Sequence, residues 1–324
     1  MMSVPQSLLN ILNSWLRDRY QIVKYGNCLS SRVPVVSGVP QGSVVSPLLF
    51  TVFINDLLST CAAVLLIAYA DDLKIIGKAG RQLQTAIDAV TNWATENLME
   101  INISKCETLH FGRKNPLLKY TIDHNEIPCT KMIRDLGLNV DSSLGFDGHA
   151  MIIKSKCIKL IALLFKCFYS KNQDLYIKFY TLYVLPVIDY ASFMYCSTSQ
   201  RNIKTIESIQ HYFTRRLFHR IYRNQTRPEY SERLKLFGMK ELHIRYRLLD
   251  LILLFKISKG ILSTDFCPSL SNRSQNLFII PPINTSLYRS SFFHRSLTLW
   301  NKHSKSLDTS SISKFYNSLQ HLTL

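Results

Sequence analysis

Apolar residues recur along this chain with two different spacings. Between residues 81 and 98 they lie three and four positions apart, which predicts an amphipathic helix. Helical spacing also occurs just after the start of the chain and in five later segments, which are 150–169, 174–185, 201–223, 241–259 and 312–319. Short apolar runs predict strands instead, at 64–67, 73–76, 106–111, 117–122, 127–133 and 136–141. Strands are therefore mixed with helices up to about residue 147 and helices dominate after it, which indicates a two-layer α+β fold.

Two of the predicted strands are joined by a pair of carboxylates. The segment AYADDLKII places Asp71 and Asp72 between the apolar runs 64–67 and 73–76. Aspartate is rare within strands and common in turns, so we expect both carboxylates at the tip of a β-hairpin. The pair is either an ordinary solvated turn or a site for a divalent cation such as Mg²⁺, which prefers carboxylate and phosphate oxygens. A second hairpin is expected to turn at His124–Asn125.

A glycine-bracketed loop precedes the first hairpin. In the segment VSGVPQGSVVSPLLF, Gly38, Pro40 and Gly42 interrupt regular structure. Ser46–Pro47 is typical of a helix start, with serine at the N-cap and proline at the first helical position. The loop is either a simple turn or a place where the backbone approaches a ligand closely. In the second case Gln41 supplies hydrogen bonds to that ligand.

Positive charge is concentrated in the second half of the chain. The 324 residues carry a formal net charge of +17, and 47% of them are hydrophobic, as in an ordinary globular protein. Residues 1–160 hold 16 Lys+Arg against 13 Asp+Glu, whereas residues 161–324 hold 23 against 9. This uneven distribution favours a polyanionic partner, with nucleic acid ahead of an anionic membrane.

The predicted helix 203–223 carries much of this charge. Its apolar positions form one stripe, made of Ile206, Ile209, Phe213 and Leu217. A different sector carries Tyr212, Arg215, Arg216, His219 and Arg223. No acidic residue occurs between Glu207 and Glu229, so this sector is either a solvated face or a surface for phosphate contact and base stacking.

The cysteine spacing and the hydropathy of the chain narrow the classes of protein to which the sequence can belong. The eight cysteines are scattered without any C-x-x-C pair, so we expect reduced cysteines and no zinc site. Polar residues interrupt the apolar stretch 44–70, so it does not predict a membrane span. No signal peptide is recognisable, and we expect an intracellular protein of the nucleus or cytoplasm that is not secreted.

The segments SGVPQGS, PLLFTVFINDL and YADD occur in an order that resembles the reverse transcriptase of non-LTR (LINE-type) retrotransposons. The segments NISKCETLHF, RDLGLNVDSSLGFDGHA, IESIQHYFTRRLF and FFHRSLTLWN extend the resemblance over nearly the whole chain. It implies an RNA-directed DNA polymerase, which is a nucleotidyltransferase. The implied regions are a partial palm with an antiparallel sheet and packed helices, a basic helical thumb-like region, and a partly irregular C-terminal region, at 1–147, 148–262 and 263–324.

The resemblance also implies roles for single residues. Asp71 is then the principal ligand of Mg²⁺ or Mn²⁺ and Asp72 the accessory one. Tyr69 and Ala70 face the primer end, and Lys105 approaches the triphosphate. The incoming nucleotide and the template base are bordered by Gly38, Gln41 and Gly42. The implied partners are an RNA template, a DNA primer and deoxynucleoside triphosphates.

One expected motif of the family is not found in this sequence. The family's other metal-binding carboxylate lies in an F-x-D strand ahead of the glycine loop, and no such strand precedes Gly38 here. We therefore expect an N-terminally truncated chain with an incomplete metal site, inactive as a polymerase by itself. The alternative is a catalytically dead remnant that only binds nucleic acid.

Overall fold

The computed structural model describes residues 4–196, 199–264, 268–271, 277–283, 285–320 and 322. They form two compact units. The first contains the chain up to residue 108 together with 113–129, and the second contains 109–112 and the chain from 130 onward. The first unit mixes helices with hairpins and the second is mostly helical, which confirms the predicted α+β class.

The first unit is built from three helices and several short hairpins. Its helices are α1 (Gln6–Leu16), α2 (Ser46–Phe53) and α3 (Arg81–Glu96). Single 3-10 turns lie at Leu57–Ser59 and Ile103–Lys105. Its strands are β1 (Tyr20–Gln21), β2 (Lys24–Tyr25), β3 (Cys28–Leu29), β4 (Val33–Pro34), β5 (Leu65–Tyr69) and β6 (Asp72–Ile76). Strand β7 (Thr108–Leu109) follows, and then β8 (Thr121–Ile122), β9 (Asn125–Glu126) and β10 (Cys129–Thr130).

The second unit opens with one hairpin and continues as helices. The hairpin pairs β11 (Met132–Asp135) with β12 (Leu138–Asp141) in antiparallel register. The helices are α4 (Asp147–Cys167), α5 (Gln173–Phe179), α6 (Leu185–Asp189), α7 (Ser192–Tyr195), α8 (Gln200–Ile221), α9 (Tyr230–Leu236) and α10 (Leu242–Ser258). The last three are α11 (Ser286–Ser290), α12 (Phe292–His303) and α13 (Ile312–Gln320).

Aromatic side chains fill two hydrophobic clusters of the second unit. In the first cluster, α4 and α8 pack together and the rings of Tyr180 and Phe213 stack with centroids 4.3 Å apart. In the second cluster, α10 packs against the C-terminal helices, and Phe255 stacks on Phe315 at 4.1 Å. The C-terminal residues from 278 onward therefore share a core with α10, which helps to fix that helix.

Most predicted helices are confirmed, and the differences have local causes. The segment 174–185 is interrupted by a π-helical turn at Tyr180–Val184. The spacing of apolar residues did not predict helices α6, α7, α9, α11 and α12. Helix α9 has only seven residues and begins with a capping box formed by Glu229 and Glu232. Because glutamate is not a usual N-cap residue, the sequence gives little sign of this start.

The predicted turn at His124–Asn125 is wrong by one residue. Asp123 and His124 form the turn, and both have positive φ, 45° and 68°. Aspartate and histidine tolerate the left-handed region better than most residues. The strand predicted over 127–133 is also divided, because β10 ends at Thr130 and β11 begins at Met132.

Two further expectations concern cysteines and membranes. The seven cysteines that lie within the described residues are free, and Cys267 lies outside those residues. No helix in the described part of the chain is long and apolar enough to cross a membrane.

Candidate functional site

The carboxylate pair lies at the tip of the β5–β6 hairpin, as predicted. The strands pair from Leu65 opposite Ile76 to Tyr69 opposite Asp72, which leaves Ala70 and Asp71 as the two turn residues. Asp71 is therefore in the turn and Asp72 is the first residue of β6, and both are exposed. Ala70 has φ of 51°, a left-handed value that a non-glycine residue adopts only at some cost in free energy.

One face of this hairpin packs into the core of the first unit. Leu66, Ala68, Leu73 and Ile75 contact a cluster that includes Trp93 of α3 and Phe50 of α2. Side chains of paired residues point to the same face of an antiparallel hairpin, so Tyr69 and Asp72 share the opposite, uncovered face. The core thereby fixes the direction of the strands while the tip stays accessible.

The chemistry of the pair fits a divalent cation. Adjacent exposed carboxylates on a fixed tip supply two of the oxygen ligands that Mg²⁺ uses, and the others come from water or phosphate. Among the described residues, no group of three or more His, Cys, Asp or Glu side chains is placed to hold a metal ion. The described part of the chain therefore contributes a pair of carboxylates at this position rather than a closed metal cage.

The glycine loop is held from both of its ends. Arg19 Nη2 donates to the carbonyl oxygens of Ser37 at 3.2 Å and of Gly38 at 2.5 Å. Ser46 Oγ donates to the carbonyl oxygen of Pro40 at 2.5 Å. Gln41 is an exposed turn residue that directly follows the anchored carbonyl of Pro40. Sequence reasoning missed Arg19, whose only signal was an arginine that follows a predicted helix.

Ser46 does not cap α2, contrary to the sequence prediction. It is the first helical residue, Val45 occupies the N-cap position, and no side chain caps that position. The Ser46 side chain is buried because it bonds the loop. Ser43 Oγ instead accepts from the Ser46 backbone N–H at 3.1 Å. The serine that resembled a cap thus connects the glycine loop to α2.

The turn that carries Lys105 packs on apolar residues that also support the hairpin. Lys105 is the last residue of this 3-10 turn, and its side chain is exposed. Ile101 and Ile103, just before it, pack with Ile75 of β6 in one cluster. The turn that carries Lys105 and the hairpin that carries the carboxylates therefore rest on common apolar residues. Phe50 of α2, the helix that follows the glycine loop, packs against the same cluster as the hairpin.

Helix α8 presents the predicted apolar stripe and much of the predicted basic sector. Its four stripe residues, Ile206, Ile209, Phe213 and Leu217, are each no more than 1% exposed. The guanidinium carbon of Arg215 lies 5.8 Å from the centroid of the Tyr212 ring, and that of Arg216 lies 5.7 Å from it. His219 is exposed on the same helix. Arg223 lies two residues past the end of the helix and does not belong to its face.

Another arginine of α8 has a structural role that the sequence did not reveal. Arg220 donates to the carbonyl oxygens of Phe165 at 2.7 Å and Phe168 at 3.2 Å. These are carbonyls at the C-terminal end of α4, where a cation compensates the unpaired acceptors. Two charge-assisted hydrogen bonds from Arg220 therefore connect α8 to this end of α4.

Residues 1–140 match the family model described as reverse transcriptase (RNA-dependent DNA polymerase). This segment, which holds the glycine loop and the exposed carboxylate hairpin, is therefore similar to reverse transcriptase domains. The chain is 27% identical over 223 residues to the RNA-directed DNA polymerase from mobile element jockey of Drosophila funebris, which covers 64% of this chain and 24% of that protein. The corresponding Drosophila melanogaster protein is 26% identical over 230 residues, 66% of this chain and 25% of that protein.

The predicted relationship to non-LTR (LINE-type) reverse transcriptases is confirmed by these similarities. The chain spans about a quarter of the length of these curated relatives. No solved structure gives a significant match. The family implies a divalent metal ion, an RNA template and nucleotide substrates.

Proposed function

We propose that this chain supplies the carboxylate hairpin and a nucleic-acid grip of an RNA-directed DNA polymerase that acts by two-metal nucleotidyl transfer. The observation that carries the proposal is the position of Asp71 and Asp72. They lie side by side on an accessible tip whose strands are fixed by the core, within the segment that matches the family. Such a tip can approach a primer terminus without obstruction from its own hairpin.

In this proposal Asp71 and Asp72 hold Mg²⁺, or Mn²⁺ in its place. A metal ion held by these two carboxylates would supply activation of the primer hydroxyl and charge stabilisation for the leaving pyrophosphate. Side chains near the two carboxylates position the primer and the triphosphate. Tyr69 shares the uncovered face with Asp72 and supports the primer end, and Ala70 sets the sharp direction of the turn. Lys105 offsets the negative charge of the triphosphate.

The glycine loop borders the incoming nucleotide and the template base in this arrangement. Gly38 and Gly42 have φ of 74° and 83°, so side chains are disfavoured at both positions. A Cβ at either position would meet no other atom within 4 Å, so the backbone there is open to a ligand. The exposed amide of Gln41 supplies the hydrogen bonds that such a close approach permits.

The second unit grips the template and primer in the proposal. The region 148–262 acts as the thumb, with Tyr212 stacking on a base and the arginines of α8 contacting phosphates. The region 263–324 supports it through the core that it shares with α10. The division into a palm at 1–147, a thumb-like region and a C-terminal region is part of the same proposal.

A nucleic-acid-binding remnant without catalysis is the second candidate. It is favoured by the observation that no third metal-binding side chain joins the pair among the described residues. Both candidates bind RNA, and they differ in what the hairpin does with metal. The expectation that residues 1–324 alone do not extend a primer stays a prediction.

Titration with Mn²⁺ tests the hairpin directly. The six-line electron paramagnetic resonance signal of free Mn²⁺ should fall as the wild-type chain binds the ion, and Mg²⁺ should compete. The double variant Asp71→Asn/Asp72→Asn should lose this binding. The matched control is Asp123→Asn, since Asp123 is a single exposed carboxylate at the turn of the β8–β9 hairpin. Equal Mn²⁺ binding by the wild type and the double variant would contradict the proposal.

A further inference from the structure

Half of the ten residues that line a cavity of about 700 Å³ in the second unit are Lys or Arg. It lies among α4, α8, α9 and the segment between the last two. Its positive lining residues are Lys154, Lys204, Arg215, Arg227 and Arg233. None of them forms an ion pair with a carboxylate of the described residues. The cavity therefore concentrates positive charge from three helices and from the segment between two of them, against one acidic lining residue.

The single acid of the cavity is already engaged elsewhere. Glu207 accepts from the backbone N–H of Leu242 at 3.0 Å and of His243 at 3.3 Å. It also accepts from the hydroxyl of Tyr230. Its carboxylate thus stabilises the N-terminus of α10, where a negative charge is favoured. Glu207 makes no ion pair with the cations of the cavity.

The burial of Arg233 without an acidic partner in the described part of the chain is a second, independent observation that indicates an anionic ligand. Arg233 is 6% exposed, and buried guanidinium groups are ordinarily paired with an acid. Here Arg233 donates only to the Pro228 carbonyl at 2.6 Å and to Thr214 Oγ1 at 3.4 Å. Both acceptors are neutral, and the guanidinium carbon lies 5.7 Å from the centroid of the Tyr230 ring. Burial lowers the pKa of Arg233, and Arg227 and Arg215 lower it further by repulsion.

A second cavity continues the first. Its volume is about 440 Å³, and it shares Arg215 and Arg227 with the larger one. The rest of its lining is Arg216, His219, Arg220, Tyr222 and Gln225, with the buried rings of Phe165 and Phe218 beneath them. We call the two together the arginine groove. Cationic groups beside the half-buried ring of Tyr222 suit a phosphate chain with a base attached.

We infer that the arginine groove binds single-stranded nucleic acid, with a backbone phosphate held by Arg233, Arg227 and Arg215 in the larger cavity and the adjoining nucleotide in the smaller one. The inference rests on the proposed nucleic-acid grip and deepens it, because it moves the main contact from one face of α8 to a groove closed by α9. A fork of guanidinium donors matches the oxygens of a phosphate.

Fluorescence anisotropy of a labelled oligouridylate tests the groove with the full chain. The variant Arg215→Ala/Arg227→Ala should bind more weakly. The slope of log affinity against log salt should become shallower by up to about 0.7, because the arginines removed share one phosphate of a single strand. The control is Arg247→Ala, an exposed cation on α10 that lines neither cavity. If the double variant and this control have the same slope, the inference is wrong.

Arg233 needs a conservative variant, because its alanine variant can fail to fold. Arg233→Lys keeps the charge and removes the planar fork, so oligouridylate affinity should fall while the salt slope changes little. Native circular dichroism and an unchanged melting temperature would show that the variant is folded. Wild-type affinity in the folded Arg233→Lys chain would overturn the role of Arg233.

Competition experiments distinguish the source of the phosphate. Unlabelled oligouridylate should displace the probe, and deoxythymidine triphosphate or inorganic pyrophosphate at equal phosphate concentration should not. Displacement by the triphosphate with equal strength would overturn the assignment to a nucleic-acid chain. Mn²⁺ binding at Asp71 and Asp72 should be unchanged in the groove variants, so a failure here is separable from a failure of the metal site.

Discussion

Replacement of Glu207 by glutamine should have opposite effects on stability and on RNA binding. The side chain lies at the junction of α8, α9 and α10, where it accepts hydrogen bonds from two backbone N–H groups and from Tyr230. It also lines the arginine groove. Glutamine has nearly the same shape, but it is neutral and has only one acceptor oxygen.

The expected loss in the free energy of unfolding follows from the interactions of Glu207 that glutamine cannot make. Hydrogen bonds to a charged group contribute about 1.5–3 kcal/mol, and a charge at a helix N-terminus contributes about 0.3–1 kcal/mol. Because one acceptor oxygen remains, we expect Glu207→Gln to lower the free energy of unfolding by about 2–3 kcal/mol. For a unit of this size that corresponds to a fall of about 4–12 °C in melting temperature. Loss of the negative charge should meanwhile raise the affinity of the groove for RNA.

Urea titration followed by circular dichroism measures the first effect, and oligouridylate anisotropy at low salt measures the second. Asp174→Asn is the matched control, because Asp174 is an exposed carboxylate in the first turn of α5 and accepts no hydrogen bond within the described residues. That control should cost no more than about 1 kcal/mol. A Glu207→Gln chain as stable as the wild type would refute the capping role. Weaker RNA binding by the folded variant would refute the electrostatic reasoning.

Three further changes have separate readouts. Combined alanine replacement of Arg215, Arg216 and Arg223 should make the slope of log RNA affinity against log salt shallower, by up to about 2.7 on duplex or 2.1 on single strands. An unchanged slope in the salt titration would show that these arginines are solvated and do not contact phosphates. Tyr212→Ala should weaken RNA binding by about 1–3 kcal/mol with little change in slope if the ring stacks on a base, whereas a changed slope with unchanged low-salt affinity would argue against stacking. Ala70→Gly should raise the free energy of unfolding in urea by up to about 1 kcal/mol by relieving the positive φ, and a destabilised variant would show that the turn is not strained.

The hairpin was predictable because its signal is local. Alternation of residue types fixes which face is buried, and aspartate marks the turn. The sequence therefore predicted the strands to within two residues and the position of both carboxylates. The apolar stripe of α8 was predictable for the same reason, since a period of 3.6 residues defines a face without knowledge of the rest of the fold.

Other parts depend on contacts that no local pattern encodes. Arg19 and Ser46 hold the glycine loop through carbonyl groups that lie many residues away or on the other side of a turn. The sequence placed Arg223 in the basic sector because the predicted helix extended to residue 223, whereas the helix ends at Ile221. Arg233 looks like an exposed charge on a short helix, and its burial follows from the packing of α9 on α8.

The two surfaces that carry the proposed function are fixed in different ways. An isolated two-stranded hairpin is marginally stable, so the carboxylate tip depends on the packing of its one buried face against α2 and α3. Its other face leaves Leu65, Ile67 and Ile76 between 39% and 52% exposed. The arginine groove is instead fixed by buried polar contacts, because Glu207 and Arg233 each connect two or more helices. Changes in the core of the first unit should therefore alter metal binding, and changes in the hydrogen-bonded junction of the second should alter RNA binding.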